Sequence, residues 1–256
     1  MPDTTANKFI FLVQIIAKLR QECPWDHQQT PESLRQYILE ETYEAIETID
    51  QANWDKLKGE LGDLLLQIIL QSVIAAEENR FTLDQVIDYI TQKMIERHPH
   101  VFAGQKVNGV QDIIHNWEQI KINKEKRTSL LQNIPLGLPA LLRAQRIQGK
   151  AASVNFDWPE ISGVLEKVDE EIKELKMAVL HEDKTNIQEE MGDILFSLVN
   201  LSRFLGIVAE DTLRLTNEKF IRRFQFIENY YNQDYNRMKQ ATLEELDQLW
   251  NKSKEQ

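Results

Sequence analysis

Carboxylate residues recur at the same spacing in two parts of the chain. The first copy reads Glu40-Glu41-x-x-Glu44, then Glu60-x-x-Asp63, and the second reads Glu170-Glu171-x-x-Glu174, then Glu190-x-x-Asp193. Each residue of the second copy lies 130 positions after its partner, as 170 − 40 and 193 − 63 show. A register kept across five acidic positions indicates a duplicated domain built around a cluster of carboxylates.

The spacing brings these carboxylates together if the segments are helical. Residues three or four apart share a helix face, and the turn-like segment 50–55 is short enough to make the flanking helices antiparallel neighbours. Two carboxylates about 5 Å apart repel by roughly 3 kcal/mol at an effective dielectric near 20, so protonation or a cation must relieve them. Oxygen ligands favour Mg²⁺ or Mn²⁺, and such a centre can hold a polyphosphate and activate a water.

A solvated helix surface is the alternative interpretation of one such motif taken alone. Here both copies continue into apolar segments, 64–70 and 194–199, which must enter a core. Glu60 and Asp63 therefore begin a segment whose continuation must be core, and the duplication favours the metal site over the solvated surface.

Basic residues that could bind a polyphosphate also recur in the two halves. Lys93 and Arg97 correspond to Lys219 and Arg223, four residues apart in each half and so on one helix face. A surface Lys/Arg pair is an equally good interpretation of Lys93 and Arg97. A triphosphate needs such cations because one divalent ion does not neutralise its charge.

Two positions distinguish the halves. Lys167 stands where the first half has Tyr37, and Arg222 stands where it has Glu96. Both differences add positive charge, so we expect the C-terminal half to be the one that turns over an anionic substrate. The N-terminal half, with a complete acidic set, is expected to be weaker, differently selective or mainly structural.

Two tryptophans near lysines are candidates for stacking on a base. Trp117 and Trp250 could also simply fill the core, which is the commoner fate of tryptophan. Trp250 lies in a polar helix beside Lys252 and Lys254, where stacking is plausible.

Composition narrows the class of protein. Nine Gly and seven Pro among 256 residues, without a persistent alternating pattern, predict an all-α fold. The net charge of −11 argues against nucleic-acid binding, and Cys23, the only cysteine, excludes an intrachain disulfide or a Cys-based zinc site. Neither a signal-peptide pattern nor an apolar stretch long enough to span a bilayer is evident, which predicts a cytoplasmic protein without a membrane partner.

The chain divides into two similar helical domains. We expect helices at about 8–20, 31–49, 54–79 and 82–97, another about Trp117 with a basic tail at 121–127, then 140–151, 160–180, 185–205, 210–231 and 242–254. Thr30 and Thr82 are the expected N-caps of the helices that follow them, and the segments 23–26 and 98–99 are expected to break the chain of helices. Pro and Gly in 128–139 place the boundary there. The predicted parts are 1–127, a linker and connecting helix at 128–152, and 153–256. Each domain is a bundle of four to five helices, of a kind that often dimerises.

The assembled motifs resemble those of the MazG family of nucleoside triphosphate pyrophosphohydrolases in its two-domain form. Besides the doubled acidic pattern, the resemblance rests on these segments: Cys23-Pro24-Trp25-Asp26, Glu60-Leu61-Gly62-Asp63-Leu64, Arg97-His98-Pro99-His100-Val101-Phe102, Phe156-Asp157-Trp158, Glu189-Glu190-Met191-Gly192-Asp193 and Asn217-Glu218-Lys219-Phe220.

The resemblance implies a Mg²⁺-dependent, dimeric enzyme that hydrolyses nucleoside triphosphates to monophosphate and pyrophosphate. It implies a role in clearing non-standard nucleotides or tempering the starvation response, and activity in the C-terminal domain. The implied metal ligands are Glu171, Glu174, Glu190 and Asp193, with a second possible site at Glu41, Glu44, Glu60 and Asp63. The implied substrate-binding residues are Lys167, Glu189, Lys219, Arg222, Arg223 and Trp250, and Glu170 or Glu171 is the expected general base.

Other classes fit the sequence less well. Di-iron helical proteins use Glu-x-x-His pairs, and none of the glutamates here has a histidine three residues later. No P-loop motif is present. The remaining alternative is a non-catalytic acidic helical scaffold that senses nucleotides or binds a partner protein.

Overall fold

Two compact helical units make up the chain, Met1–Ile113 and Ile114–Gln256. The computed structural model describes residues 4–109, 112–113 and 129–255, and within these ranges every regular element is a helix. The predicted all-α class is therefore confirmed. The predicted helix about Trp117, the basic segment 121–127 and the proposed boundary at 127/128 lie at residues outside those described, so the predicted domain limits stay a prediction.

Over residues 4–109 the first unit is a bundle of four long helices and two short ones. They are α1 (Thr5–Glu22), α2 (Pro24–Gln28), α3 (Arg35–Asp50), α4 (Trp54–Glu77), α5 (Leu83–Arg97) and α6 (Pro99–Phe102). Side chains cap three of the long helices, because Thr4, Asn53 and Thr82 each accept a hydrogen bond from a first-turn backbone N–H. The cap at Thr82 was predicted from the sequence and is confirmed.

The core of the first unit lies between α1, the segment before α3 and α4. Its fully buried members are Ile16, Leu34, Ile69, Leu70 and Ile74. By length and composition alone α4 would also pass for a membrane-spanning helix. Three of its apolar residues are instead buried in this core, which is how the central helix of a globular bundle looks.

The second unit repeats this arrangement with a different first helix. Its elements are α7 (Ala140–Ala152), α8 (Ile161–Leu180), α9 (Lys184–Phe204), α10 (Ala209–Tyr230), α11 (Tyr235–Met238), α12 (Leu243–Lys252) and a 3₁₀ turn (Ser253–Glu255). Helices α8 and α9 pack along each other as α3 and α4 do, and α7 packs on α9. A separate cluster of Ile227, Tyr231 and Leu249 joins α10 to α12.

Two predicted helix breaks contain short helices, and one predicted helix cap was wrong. The segment Pro24–Gln28 forms a short helix rather than a simple break, and Pro99–Phe102 does the same after α5, because proline is well suited to the first helical position. Thr30 was predicted to cap the first acidic helix. Its hydroxyl instead accepts from the Ser33 backbone N–H at 3.2 Å within a preceding turn, and α3 begins only at Arg35.

Candidate metal centre

A tight turn of the same construction joins the two acidic helices in each unit. Ala52 and Glu182, 130 positions apart, both adopt left-handed backbone with φ of 50° and 55°. The next residues, Asn53 and Asp183, cap the second helix through their side-chain oxygens. Because the turn sets the register of the hairpin, the acidic pairs of the two helices come to lie side by side.

In the second unit, three carboxylates converge from the two helices. Carboxylate oxygens of Glu171, Glu174 and Glu190 all lie within 4.8 Å of one another. Partial loss of hydration and the neighbouring carboxylates, Asp193 among them, raise the pKa of Glu190 above its ordinary value. An all-oxygen set this close matches the ligands that Mg²⁺ or Mn²⁺ prefers. The residues therefore fit a divalent metal ion.

A lysine is built into this cluster. The Lys167 Nζ lies 2.7 Å from Glu171 Oε1 and 3.0 Å from Glu170 Oε1. Hydrogen bonds to Glu171 and then Glu170 raise the pKa of Lys167, so its ammonium group stays charged. Glu171 is only 5% exposed. A buried carboxylate is stable only with a charged or hydrogen-bonding partner, and Lys167 provides that partner for Glu171.

A cavity of about 580 Å³ in the second unit opens beside this cluster. Glu171 of the cluster and its partner Lys167 also line the cavity. The predicted ligand Asp193 lines it too, but Asp193 lies outside the close carboxylate group and acts on Glu190 through its charge. Most of the remaining wall is apolar or aromatic, and its polar members are Gln148, Asp157, Ser197, Asn200 and Arg203. The volume is within the range of about 300–1,000 Å³ typical of sites for small ligands.

The predicted basic and aromatic contacts lie elsewhere in the second unit. The Arg223 guanidinium carbon lies 5.6 Å from the centre of the Trp250 ring, and the Phe220 ring centre lies 5.0 Å from it. Lys219 and Arg222 are exposed on the same helix, and Glu189 is exposed on α9. Among the described residues, none of these five predicted side chains lines the cavity or makes a recorded hydrogen bond or ion pair with the acidic cluster.

The first unit brings together a similar but different set. Here the carboxylate oxygens of Glu41, Glu60 and Asp63 lie within 4.8 Å of one another. Glu44 lies outside this close group, and its negative charge helps to raise the pKa of Glu41 and of Glu60. Reduced hydration and the surrounding carboxylates, Asp63 first, raise the pKa of Glu41. Reduced hydration, the charges of Glu44 and Asp63 and a hydrogen bond with Glu44 raise the pKa of Glu60.

No lysine enters this first cluster from the position of Lys167. Tyr37 occupies it, and the Tyr37 ring packs edge-on to Trp25 at 5.8 Å between ring centres. On α5, Lys93 of the predicted Lys93/Arg97 pair contacts an aromatic ring, since its Nζ lies 5.5 Å from the centre of the Tyr89 ring. Within the part of the chain that the structure describes, both units therefore have an acidic cluster, and in the second one a lysine forms ion pairs with it.

The sequence did not single out the polar wall of the cavity. Asn200 and Arg203 stand where the first half has Leu70 and Val73, both in the apolar core. A comparison of the two halves could therefore have found these residues, because they are polar where the first half has apolar core residues.

Comparison with known proteins agrees with this geometry. A sequence model described as "MazG nucleotide pyrophosphohydrolase domain" matches twice, at residues 29–102 and 161–225. The chain is 44% identical, over 95% of its length and 94% of the relative's, to the "Nucleoside triphosphate pyrophosphohydrolase/pyrophosphatase MazG" of Thermotoga maritima. It is 41% identical to the "Nucleoside triphosphate pyrophosphohydrolase" of Escherichia coli K12, over 98% of both chains.

A third relative is longer than this chain. The "Uncharacterized protein YabN" of Bacillus subtilis is 46% identical over 97% of this chain but only 52% of its own length. Both matches of the family model include an acidic hairpin, and the two full-length relatives are named as enzymes. The chain belongs to the MazG family of nucleotide pyrophosphohydrolases.

Proposed function

We propose that the chain hydrolyses nucleoside triphosphates between the α- and β-phosphates, giving a nucleoside monophosphate and pyrophosphate. The observation that carries this proposal is the convergence of Glu171, Glu174 and Glu190 beside Lys167 and a ligand-sized cavity. The names of the relatives support the reaction type. We assign the activity to the second unit because the internal cation is there.

Magnesium, or manganese in its place, is the proposed cofactor. Glu171, Glu174, Glu190 and Asp193 would hold it, and Glu41, Glu44, Glu60 and Asp63 would form a second possible site. A bound divalent ion supplies positive charge for the phosphate oxygens and Lewis-acid polarisation of the phosphoryl group. The raised pKa of Glu190 supports this role, because a cation would remove the repulsion that causes it.

The protein's own residues would carry the proton and charge movements. The water oxygen forms a bond to the α-phosphorus, the bond from that phosphorus to the bridging oxygen breaks, and the bridging electrons leave with pyrophosphate. Glu170 is the better candidate to accept the water proton, because it is exposed and stands outside the close carboxylate group. Lys167 Nζ, already at the edge of the cluster, would turn one N–H to a phosphate oxygen.

The remaining predicted residues keep a supporting role in the proposal. Lys219 and Arg223 would stabilise the departing pyrophosphate, and Arg222, Glu189 and Trp250 would contact the nucleotide. Arg223 and Trp250 are already in contact with each other, so one would bring the other to the ligand.

Helix-mediated homodimerisation is part of the proposal. On α1, Phe11, Ile15 and Leu19 are exposed at intervals of four residues, which forms one apolar stripe along the helix. Unpaired apolar stripes of this kind favour association with a second copy. Light scattering of the purified protein tests this, since a monomer at micromolar concentration would contradict it.

The proposed setting is the cytoplasm, without a stable nucleic-acid or membrane partner. There the reaction would remove unwanted nucleoside triphosphates or temper the response to starvation.

Isotope labelling tests the reaction. The protein is incubated with a panel of nucleoside triphosphates and Mg²⁺ in ¹⁸O-water. Attack at the α-phosphorus predicts pyrophosphate as the product and the label in the monophosphate. Release of orthophosphate with a nucleoside diphosphate, or full activity in EDTA, would contradict the proposal.

A further inference from the structure

One face of α9 continues from the acidic cluster into the cavity. Asp193, Ser197 and Asn200 are spaced by four and three residues, so they form a single stripe, and all three line the cavity. Seven residues of helix span about 10 Å. The stripe therefore connects the phosphate-binding end that we propose to polar groups in a mostly apolar cavity wall.

The amide of Asn200 is oriented by its neighbours. The Arg203 Nε donates to Asn200 Oδ1 at 3.0 Å, and the Arg203 Nη2 donates to Asp157 Oδ1 at 2.6 Å. Because Arg203 can only donate, the oxygen of the Asn200 amide must face it and the Nδ2 must point the other way.

The Nδ2 of Asn200 is left as a donor without an acceptor. The Asn200 side chain is only 7% exposed. Within the described residues its Nδ2 donates no hydrogen bond, and this atom keeps some contact with solvent. Such a group is expected to meet a ligand or a water in the cavity.

Ser197 also departs from the usual behaviour of helical serines. Ser72 and Ser202 donate to the carbonyl four residues earlier, at 2.8 Å and 3.0 Å. Within the described residues Ser197 makes no such bond, although it lies in the cavity wall. Two free polar groups, one turn apart, thus face the same space.

Aromatic walls flank these groups. Trp158 lies against the first turn of α8, where only Gly163 leaves room for it, since a Cβ there would lie 2.4 Å from the indole. Phe156 and Phe196 line the same cavity. Apolar flat walls with a few aimed polar groups are the usual construction of a site for a planar heteroaromatic ring.

We infer that this cavity holds the nucleobase and that Asn200 is a specificity-determining residue, donating from Nδ2 to a carbonyl oxygen or ring nitrogen of the base. This inference rests on the proposed function, since it takes the ligand to be a nucleotide whose phosphates lie at the acidic cluster. It assigns base recognition to α9 and the segment before α8. Trp250 lies outside the cavity wall and is not part of this base site.

The first test is the substitution Asn200→Leu, which introduces the residue that the first unit has at Leu70. The KM for nucleoside triphosphates should rise about 10- to 100-fold, as expected for losing a buried hydrogen bond to the ligand, with kcat within about threefold. The inhibition constant of inorganic tripolyphosphate, which has no base, should stay unchanged. A thermal unfolding scan confirms that the variant is folded.

Ser202→Ala is the matched control, because Ser202 is on the same helix but its hydroxyl is bonded to the Leu198 carbonyl. It should leave KM unchanged. An unchanged KM in folded Asn200→Leu would overturn the inference and leave the proposed function standing. A parallel rise in the tripolyphosphate inhibition constant would also overturn it, since the effect would not be confined to the base.

Binding without turnover separates the two hypotheses. Calorimetry with a nucleoside monophosphate should show binding to the wild type and at least about tenfold weaker binding to Asn200→Leu. This holds even if no triphosphate is hydrolysed, in which case only the proposed function fails. Equal binding to both proteins, or to neither, would contradict a base site here.

Discussion

The two acidic hairpins have the same turn conformation but differ in the residue one helical turn before the first proposed ligand carboxylate, which is Tyr37 before Glu41 and Lys167 before Glu171. In the second unit Lys167 is bonded to Glu171, which is buried at 5% exposure. In the first unit Tyr37 packs on Trp25 instead, Glu41 is only half-buried and its pKa is raised by desolvation and four neighbouring acids. One internal cation thus allows a carboxylate to be buried next to other carboxylates.

The comparison extends along the second helix of each hairpin. Leu70 belongs to the fully buried core of the first unit, whereas Asn200 lies in a cavity wall. Val73 packs against the same core, whereas Arg203 forms an ion pair with Asp157. At these two positions the second unit therefore has polar cavity-wall residues where the first unit has apolar packing.

The largest expected effect comes from exchanging the residues at this core position. Leu70→Asn should lower the unfolding free energy of the first unit by about 3–5 kcal/mol, because it loses packing and buries an unsatisfied amide. Asn200→Leu should cost less, about 1–2 kcal/mol, since it removes the acceptor of the Arg203 Nε but places an apolar side chain in a mostly apolar wall. Urea unfolding of both variants measures this. Equal losses would show that the two positions have the same role.

A smaller effect is expected from removing the internal cation. Lys167→Tyr, which copies the first unit, should lower kcat/KM for nucleoside triphosphates about 100-fold, as for other groups that stabilise a transition-state charge. The matched change Tyr37→Lys in the first unit should alter activity less than about twofold. Steady-state pyrophosphate release measures both. Comparable losses in the two variants would contradict the assignment of activity to the second unit.

The smallest effect concerns proton release. Ligand carboxylates must be deprotonated, and the pKa values of Glu41, Glu60 and Glu190 are raised, so Mg²⁺ binding should release more protons at mildly acidic pH than at alkaline pH. Metal affinity should accordingly weaken as pH falls. Calorimetry in buffers of different ionisation enthalpy measures this release.

Glu60→Gln should reduce the release by less than about one proton, whereas Asp55→Asn, at an exposed acid outside the cluster, should not change it. The sign for stability is the reverse of that for ordinary paired acids. A carboxyl whose pKa is raised on folding stabilises the metal-free protein at low pH, and this contribution is lost as pH rises through the folded pKa. Proton release that grows with pH would contradict these shifts.

The repeated register and the helix caps could be predicted from sequence because both depend on residues close in the chain. The 130-residue repeat predicted the convergence of acids from two helices, and Thr82 predicted the start of α5. The position of Lys167 was also predicted as the difference between the halves.

What could not be predicted depends on tertiary packing. The sequence predicted that Lys167 lies near the phosphates. It did not predict that the Lys167 Nζ forms ion pairs with Glu170 and Glu171. It placed Trp250 as a candidate base contact, whereas the ring packs with Phe220 and Arg223 away from the cavity wall. The cavity arises from α7, α9 and the segment before α8 meeting in space, which no local pattern records.

Pyrophosphate release by Glu174→Gln and Glu44→Gln tests the central claim most directly. These residues occupy the same position in the two hairpins, so each variant is the control for the other. The account predicts that Glu174→Gln loses at least about 100-fold of the activity, since a metal ligand is removed, while Glu44→Gln stays within about twofold of wild type. Full activity in Glu174→Gln together with loss in Glu44→Gln would contradict it.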